Sequence, residues 1–135
     1  MAETIRLETS VTSELVEITG SVNELVKNSS VQEGICLITI PHTTAGLTIT
    51  SYHDQAGFED IVGEFSRLIP TRVDFKHQWD TPTDAAGHIK SSLISISLSL
   101  IISDGALLLG HSQGIYFFEF DGPRQRMVNV QLMAV

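Results

Sequence analysis

The run GICLITI at residues 34–40 constrains the fold of this chain more than any other feature. A strand with one face in water alternates apolar and polar residues, whereas this run is apolar and rich in β-branched residues almost throughout. We therefore predict a central strand that is covered on both faces. The alternating segment GLTIT at 46–50 follows closely and is predicted to pair with it.

Alternation and turn signals elsewhere predict antiparallel sheet, and a change to helical spacing predicts helices between the strands. We predict one α+β domain over residues 1–135, an antiparallel β-sandwich with helices packed on one side. The predicted strands cover about 4–10, 14–19, 95–102, 106–110, 114–120 and 124–134, and the predicted helices 21–27, 54–68 and 86–94, the last with Thr83 or Asp84 as its cap.

Charge and cysteine content exclude several classes of protein. The lone Cys36 cannot support a disulfide scaffold and is predicted to be a small buried residue. The net charge is −8 and no basic stripe is present, so no nucleic-acid partner is expected. No apolar stretch is long enough for a membrane span, and the N-terminus lacks the pattern of an export signal. We expect a cytoplasmic protein with no membrane partner.

Histidines at three places are the strongest candidates for a site. His42 follows the central strand in PHTTAG, where turn chemistry accounts for every residue except the histidine. His77 lies in a polar loop at 70–87, and His88 follows that loop. Each histidine alone is also compatible with a hydrogen-bonded boundary imidazole without a catalytic role.

Two kinds of metal site are compatible with these residues. Three imidazoles from His42, His77 and His88 would suit Zn²⁺ and leave a coordination position for water. Mg²⁺ prefers carboxylates, for which Asp54 and Asp84 are the candidates. A divalent metal is thus expected, with its identity open.

Cations near the C-terminus predict an anion site. Arg124 and Arg126 occupy alternate positions of a strand, so their side chains share a face and could clamp a phosphate, with Lys90 as a third cation. Charges on a solvated strand edge are the alternative interpretation.

Several sequence blocks in one order carry a family resemblance. They are GICLITIPHTTAGLTI at 34–49, His77, GHIKSSLI at 87–94 and DGALLLGHSQGIYFFEFDGPRQR at 104–126. Over about residues 3–132 the chain resembles the YjbQ-like family, small proteins described as uncharacterised and associated with secondary thiamine-phosphate synthase activity. Within GHSQ, His111 and Ser112 replace the threonine and tryptophan of the usual family segment.

The resemblance implies a homotrimeric α+β sandwich with His42, His77 and His88 as the catalytic residues. It also implies a small phosphorylated substrate, which Thr43, Thr44, Lys90, Gln113, Arg124 and Arg126 are expected to contact. The implied reaction joins a hydroxymethylpyrimidine diphosphate to a thiazole phosphate and releases pyrophosphate.

Three hypotheses about function therefore stay open. The first is a transferase of the thiamine-phosphate synthase type. The second is a metal-dependent hydrolase that uses a histidine-bound metal and water. The third is a trimeric protein that binds a small molecule or a metal without turnover. Because the family blocks retain all three histidines, we predict that His42, His77 and His88 converge on one cavity.

Overall fold

Eight strands and three helices make up the fold, and the computed structural model describes residues 1–135. In chain order the elements are β1 (Glu3–Glu8), β2 (Glu14–Glu17), α1 (Thr19–Asn28), β3 (Gly34–Thr39), β4 (Ala45–Ser51), α2 (Gln55–Leu68), α3 (Pro82–Leu93), β5 (Ser97–Ser103), β6 (Ala106–Leu107), β7 (Gln113–Glu119) and β8 (Gln125–Ala134). No helix is long and apolar enough to cross a membrane.

The strands form two antiparallel sheets. The larger has the order β1-β8-β3-β5-β6, and the smaller has the order β2-β7-β4. Alternate residues of both sheets and one face of α1 meet in a single buried core, because each element has an apolar face to cover. The mixed α+β architecture with antiparallel sheets is the predicted one and is confirmed. The core residues are Ile18, Val22, Val26, Cys36, Ile38, Ile40, Ala45, Leu47, Ile102, Ile115, Phe117, Val128 and Val130.

Helix α2 covers the outer face of the smaller sheet. Phe58 packs on Tyr116 with ring centroids 5.1 Å apart, and Phe65 packs on Phe118 at 4.9 Å. Strand β7 is therefore buried on both faces, which explains why its run IYFF at 115–118 is apolar without alternation. The larger sheet has no helix on its outer face.

The predicted pairing of GLTIT with the central strand is wrong. Strand β4 pairs with β7 in the smaller sheet, with Leu47 opposite Phe117, because the turn after Ile40 carries the chain from one sheet to the other. Alternation identifies a half-buried strand but contains no information about its partner.

Strand β3 is central as predicted, between β8 and β5, but only one of its faces is covered within the chain. Cys36 and Ile38 are buried, whereas Ile35 on the outer face is 39% exposed and lies between Ile101 and Met133 of the neighbouring strands. The run therefore contains more apolar side chains than are buried within a single chain.

Helix α3 begins earlier than the sequence predicts. Thr81 is its N-cap and accepts a hydrogen bond from the Asp84 amide at 3.1 Å, and Pro82 occupies the first turn, where its missing N–H costs nothing. Asp84 thus lies within the first turn and not at the cap. The strand predicted over 106–110 is also shorter, at two residues.

Candidate metal centre

Two histidines and an aspartate meet beside the first turns of α3. One ligand atom from each of His77, Asp84 and His88 lies within 4.8 Å of the others. Oδ2 of Asp84 is 3.2 Å from Nε2 of His88 and 3.3 Å from Nε2 of His77. The two imidazoles meet edge to face, with centroids 5.0 Å apart.

Helix geometry explains the positions of two of the three residues in this cluster. Asp84 and His88 are four residues apart, so they lie one above the other on the same helix face. The preceding loop returns His77 to that face. The spacing of Asp84 and His88 is the signal that the sequence analysis missed, because the helix was predicted to begin too late to include the aspartate.

A backbone carbonyl fixes the orientation of His88. Nδ1 of His88 lies 3.2 Å from the carbonyl oxygen of Thr43, which can only accept, so Nδ1 carries the proton of that bond. Helix α3 packs closely against the segment that contains Thr43 and Thr44, because a Cβ added to Gly87 would lie 3.2 Å from side-chain atoms of Thr44. In a neutral imidazole the lone pair of Nε2 then points towards Asp84, and a cation, either a proton or a metal ion, would satisfy both acceptors.

The cluster is open to solvent on one side. The side chains of His77 and His88 are 45% and 36% exposed, whereas Asp84 is 14% exposed. Two imidazoles and one carboxylate form a donor set typical of Zn²⁺ and of other first-row transition metals, and they leave coordination positions for water or substrate. The set is less suited to Mg²⁺, which prefers oxygen ligands.

His42 lies outside this cluster. Its Nε2 accepts a hydrogen bond from the Met127 amide at 2.9 Å, and its ring packs edge-on against Phe117. Burial lowers the pKa of His42, and the nearby Arg126 charge lowers it further. The predicted site of three converging imidazoles is therefore corrected to two imidazoles and a carboxylate within one chain.

Asp54, the other carboxylate considered as a magnesium ligand, is not part of the cluster of His77, Asp84 and His88. Asp54 is the N-cap of α2, and its Oδ1 accepts from the Ala56 amide at 3.0 Å. Its position directly before a run of helical spacing is typical of a cap.

Replacement of the cap is expected to affect stability and not metal content. We predict that Asp54→Ala lowers the free energy of unfolding by about 1 kcal/mol, because the first turn of α2 loses its side-chain acceptor. Urea denaturation and metal analysis of the same sample measure both effects. Loss of bound metal in Asp54→Ala would contradict the assignment of this carboxylate as a cap.

The two arginines have separate partners, so the predicted anion clamp is not formed. Arg126 is 6% exposed, and its guanidinium binds the buried Glu119 carboxylate and, at 2.9 Å, Oγ1 of Thr44. Arg124 is half-exposed, donates to Asp121 at 2.9 Å and lies 4.0 Å from Asp80. Arg126 therefore supports the fold, and Arg124 is the arginine that reaches the loop containing His77.

The other predicted contact residues are spread over the molecule. Lys90 is 4% exposed and forms no ion pair, its Nζ lies 6.0 Å from the Phe120 ring centroid, and burial lowers its pKa. Gln113 closes a turn by accepting from the Gly110 amide at 2.7 Å. Thr43 contributes its carbonyl to His88, and Thr44 is buried against Arg126. Of these residues only Thr43 contacts the cluster directly.

Comparison with known proteins places the whole chain in one family. The family described as UPF0047 protein YjbQ-like matches residues 3–135. A UPF0047 protein of Methanocaldococcus jannaschii is 44% identical over 129 residues, which cover 96% of this chain and 91% of the relative. The UPF0047 protein YugU of Bacillus subtilis is 36% identical over 134 residues, which cover 99% of this chain and 100% of the relative.

Solved structures agree with this family match. The crystal structure of an uncharacterised conserved protein of the YjbQ/UPF0047 family from Clostridium acetobutylicum has a TM-score of 0.89 at 38% identity, over 97% of this chain and 99% of that one. A YbjQ-like protein of unknown function from Sulfolobus solfataricus has a TM-score of 0.93 at 28% identity, over 100% of this chain and 97% of that one. With a family match over nearly its full length and this agreement of structure, the chain belongs to the YjbQ-like UPF0047 family.

Proposed function

We propose that this protein is a metal-dependent hydrolase of a small phosphorylated substrate, with His77, Asp84 and His88 as the metal ligands. The observation that carries the proposal is the convergence of two ring nitrogens and a carboxylate oxygen within 4.8 Å on an accessible surface. The arginines nearby are paired with carboxylates, Arg124 with Asp80 and Asp121, and Arg72 with Asp74.

The residues have separate roles in this proposal. A zinc ion held by His77, Asp84 and His88 would supply a Lewis acid and would lower the pKa of a bound water to about 7. The Thr43 carbonyl holds the proton of His88 on Nδ1 and so keeps Nε2 available as a ligand. Asp84 is the least exposed ligand and lies between the two imidazoles, and His77 comes from the loop through which substrate would approach.

A transferase of the thiamine-phosphate synthase type is the second candidate. Arg124 favours it, because a half-exposed guanidinium beside Asp80 could neutralise a departing pyrophosphate next to the metal. This reaction breaks a carbon–oxygen bond of the pyrimidine diphosphate and forms a carbon–nitrogen bond to the thiazole phosphate. A trimeric binding protein without turnover is the remaining alternative.

A product assay distinguishes these functions. The zinc-loaded and the magnesium-supplemented protein are incubated with the pyrimidine diphosphate alone, with both thiamine precursors, and with a generic phosphate ester. Hydrolysis predicts release of phosphate or pyrophosphate without the thiazole acceptor, whereas transfer predicts thiamine phosphate only when both precursors are present. If the wild-type protein turns over none of these substrates faster than the Asp84→Asn protein does, both enzymatic candidates are contradicted.

We further propose that the protein is a homotrimer whose subunits meet through the outer face of the larger sheet. The three central strands, β8, β3 and β5, carry no charged residue on this face, and charge depletion is typical of the centre of an interface. The outward-facing residues of these three strands are Ile35, Leu37, Thr39, Ser97, Ser99, Ile101, Ser103, Gln125, Met127, Asn129, Gln131 and Met133.

Light scattering tests the trimer directly. The wild-type protein is expected to have three times the 14.8 kDa mass of the chain, and Ile101→Lys is expected to dissociate it, because an unpaired charge would be buried in the interface. Leu68→Lys, at an exposed position on α2, is the matched control and should remain trimeric. A monomeric wild type at micromolar concentration would contradict the proposal.

A further inference from the structure

A second candidate site surrounds His42, apart from the metal cluster. A cavity of about 440 Å³ is lined by the ends of β1 and β8 together with this histidine. The volume falls within the range of small-molecule sites, and none of His77, Asp84 and His88 contributes to the lining.

The hydrogen bonding of His42 leaves one donor unused. Strand β3 ends at Thr39, opposite Asn129, so the Met127 amide has no strand partner on that side and donates to Nε2 of His42 instead. In the neutral imidazole the proton must then lie on Nδ1. Burial and the charge of Arg126 lower the pKa of His42 and so favour this neutral form. Nδ1–H has no acceptor within the chain.

Arg6 adds an unpaired cation to the same cavity. Its guanidinium has no carboxylate within 4.0 Å, and its contact is with the sulfur of Met127 at 3.3 Å. Glu8 is the one acidic residue of the lining, and its carboxylate already accepts a hydrogen bond from the side-chain amide of Gln125 at 3.2 Å. The unused groups are thus a guanidinium and an imidazole N–H, both of which donate.

We propose that this cavity binds the oxyanion of a small molecule, a phosphate or a carboxylate, with Arg6 as the cation and Nδ1–H of His42 as a neutral donor. A guanidinium paired with a fixed neutral donor is a common arrangement for recognising oxyanions. His42 acts here as a donor and not as a metal ligand. The proposal does not rest on the metal-dependent function.

Amide NMR of the metal-free, ¹⁵N-labelled protein tests the site, with inorganic phosphate and acetate as separate probes. We expect saturable shifts at residues 6–8 and 125–127, with a dissociation constant on the order of 1 mM for the better probe. Tighter binding of phosphate would identify a phosphate ester as the ligand, and tighter binding of acetate a carboxylate.

Two variants and a control make the outcome decisive. Arg6→Gln is expected to weaken binding about tenfold, and His42→Gln by a similar factor, because a glutamine oxygen can still accept from Met127 while the ring N–H is lost. Arg67→Gln, an equal charge change on α2, should bind as the wild type does. The absence of saturable shifts, shifts confined to 77–88, or unchanged binding by Arg6→Gln would overturn the proposal. If His42→Gln does not fold, the Arg6→Gln result decides.

Discussion

The His88→Ala protein is expected to lose its bound metal and keep its fold. His88 is 36% exposed and its imidazole makes one hydrogen bond to backbone, so the free energy of unfolding should change by no more than about 0.5 kcal/mol. Loss of a ligand should lower metal affinity by about 100-fold or more, and the rate of any metal-dependent turnover by about 10²–10⁴-fold. Metal content and thermal melting of the same sample measure both.

His111→Ala is the matched control, since His111 is an exposed histidine outside the cluster. It should retain both metal and melting temperature. A destabilised His88→Ala protein with full metal content would show that His88 only fills space, and the site assignment would then fail.

Removal of Glu119 is expected to cause the largest loss of stability. Its carboxylate is fully buried and accepts from Arg126 Nε at 2.8 Å, from Thr9 Oγ1 at 2.7 Å and from the backbone amides of Phe120 and Asp121. Glu119→Ala leaves a guanidinium buried without its partner, so we predict a loss of about 3–5 kcal/mol in the free energy of unfolding. Urea denaturation of wild type and variant measures it.

The control is Glu64→Ala, which removes an exposed partner of Arg67 and should leave the urea midpoint essentially unchanged. If the Glu119→Ala protein does not fold, Glu119→Gln replaces it in the measurement. Equal midpoints for the Glu119 and Glu64 variants would contradict the structural role of the buried pair.

Acid should weaken the same interaction. Burial alone would raise the pKa of Glu119, but the hydrogen bonds from Arg126 and Thr9 and the charge of Arg126 outweigh it and hold the pKa below its ordinary 4.5. A carboxyl with a lowered pKa stabilises the fold above pH 4.5, and this contribution is lost as the pH falls through the lowered value. Glu119→Gln should therefore lose less stability than wild type over that pH range.

The sequence predicted the fold class better than the contacts between its elements. Alternation located most strands because burial of one face imposes it, and helical spacing located α2. Strand partners depend on contacts distant in sequence, so the pairing of β4 with β7 was missed. Residue type also could not distinguish Arg126, which is buried against Glu119, from the half-exposed Arg124 two residues earlier.

The cluster of His77, Asp84 and His88 was anticipated only in part, for a similar reason. His77 and His88 were selected from their blocks, but Asp84 was assigned to a different kind of metal site from the histidines. His42 was grouped with them, although its imidazole accepts from the end of β8. Which histidines share a site depends on where the loops return, and that follows from the docking of α3 on β4, where the Ser91 hydroxyl donates to the Ala45 carbonyl at 2.7 Å.

Anomalous diffraction at the zinc edge, from crystals of the zinc-loaded protein, tests whether His77, Asp84 and His88 bind one metal ion. We expect a single strong peak at about 2.0–2.2 Å from Nε2 of both histidines and from a carboxylate oxygen of Asp84. A peak at His42, or no peak at these three ligands in fully loaded crystals, would contradict this assignment.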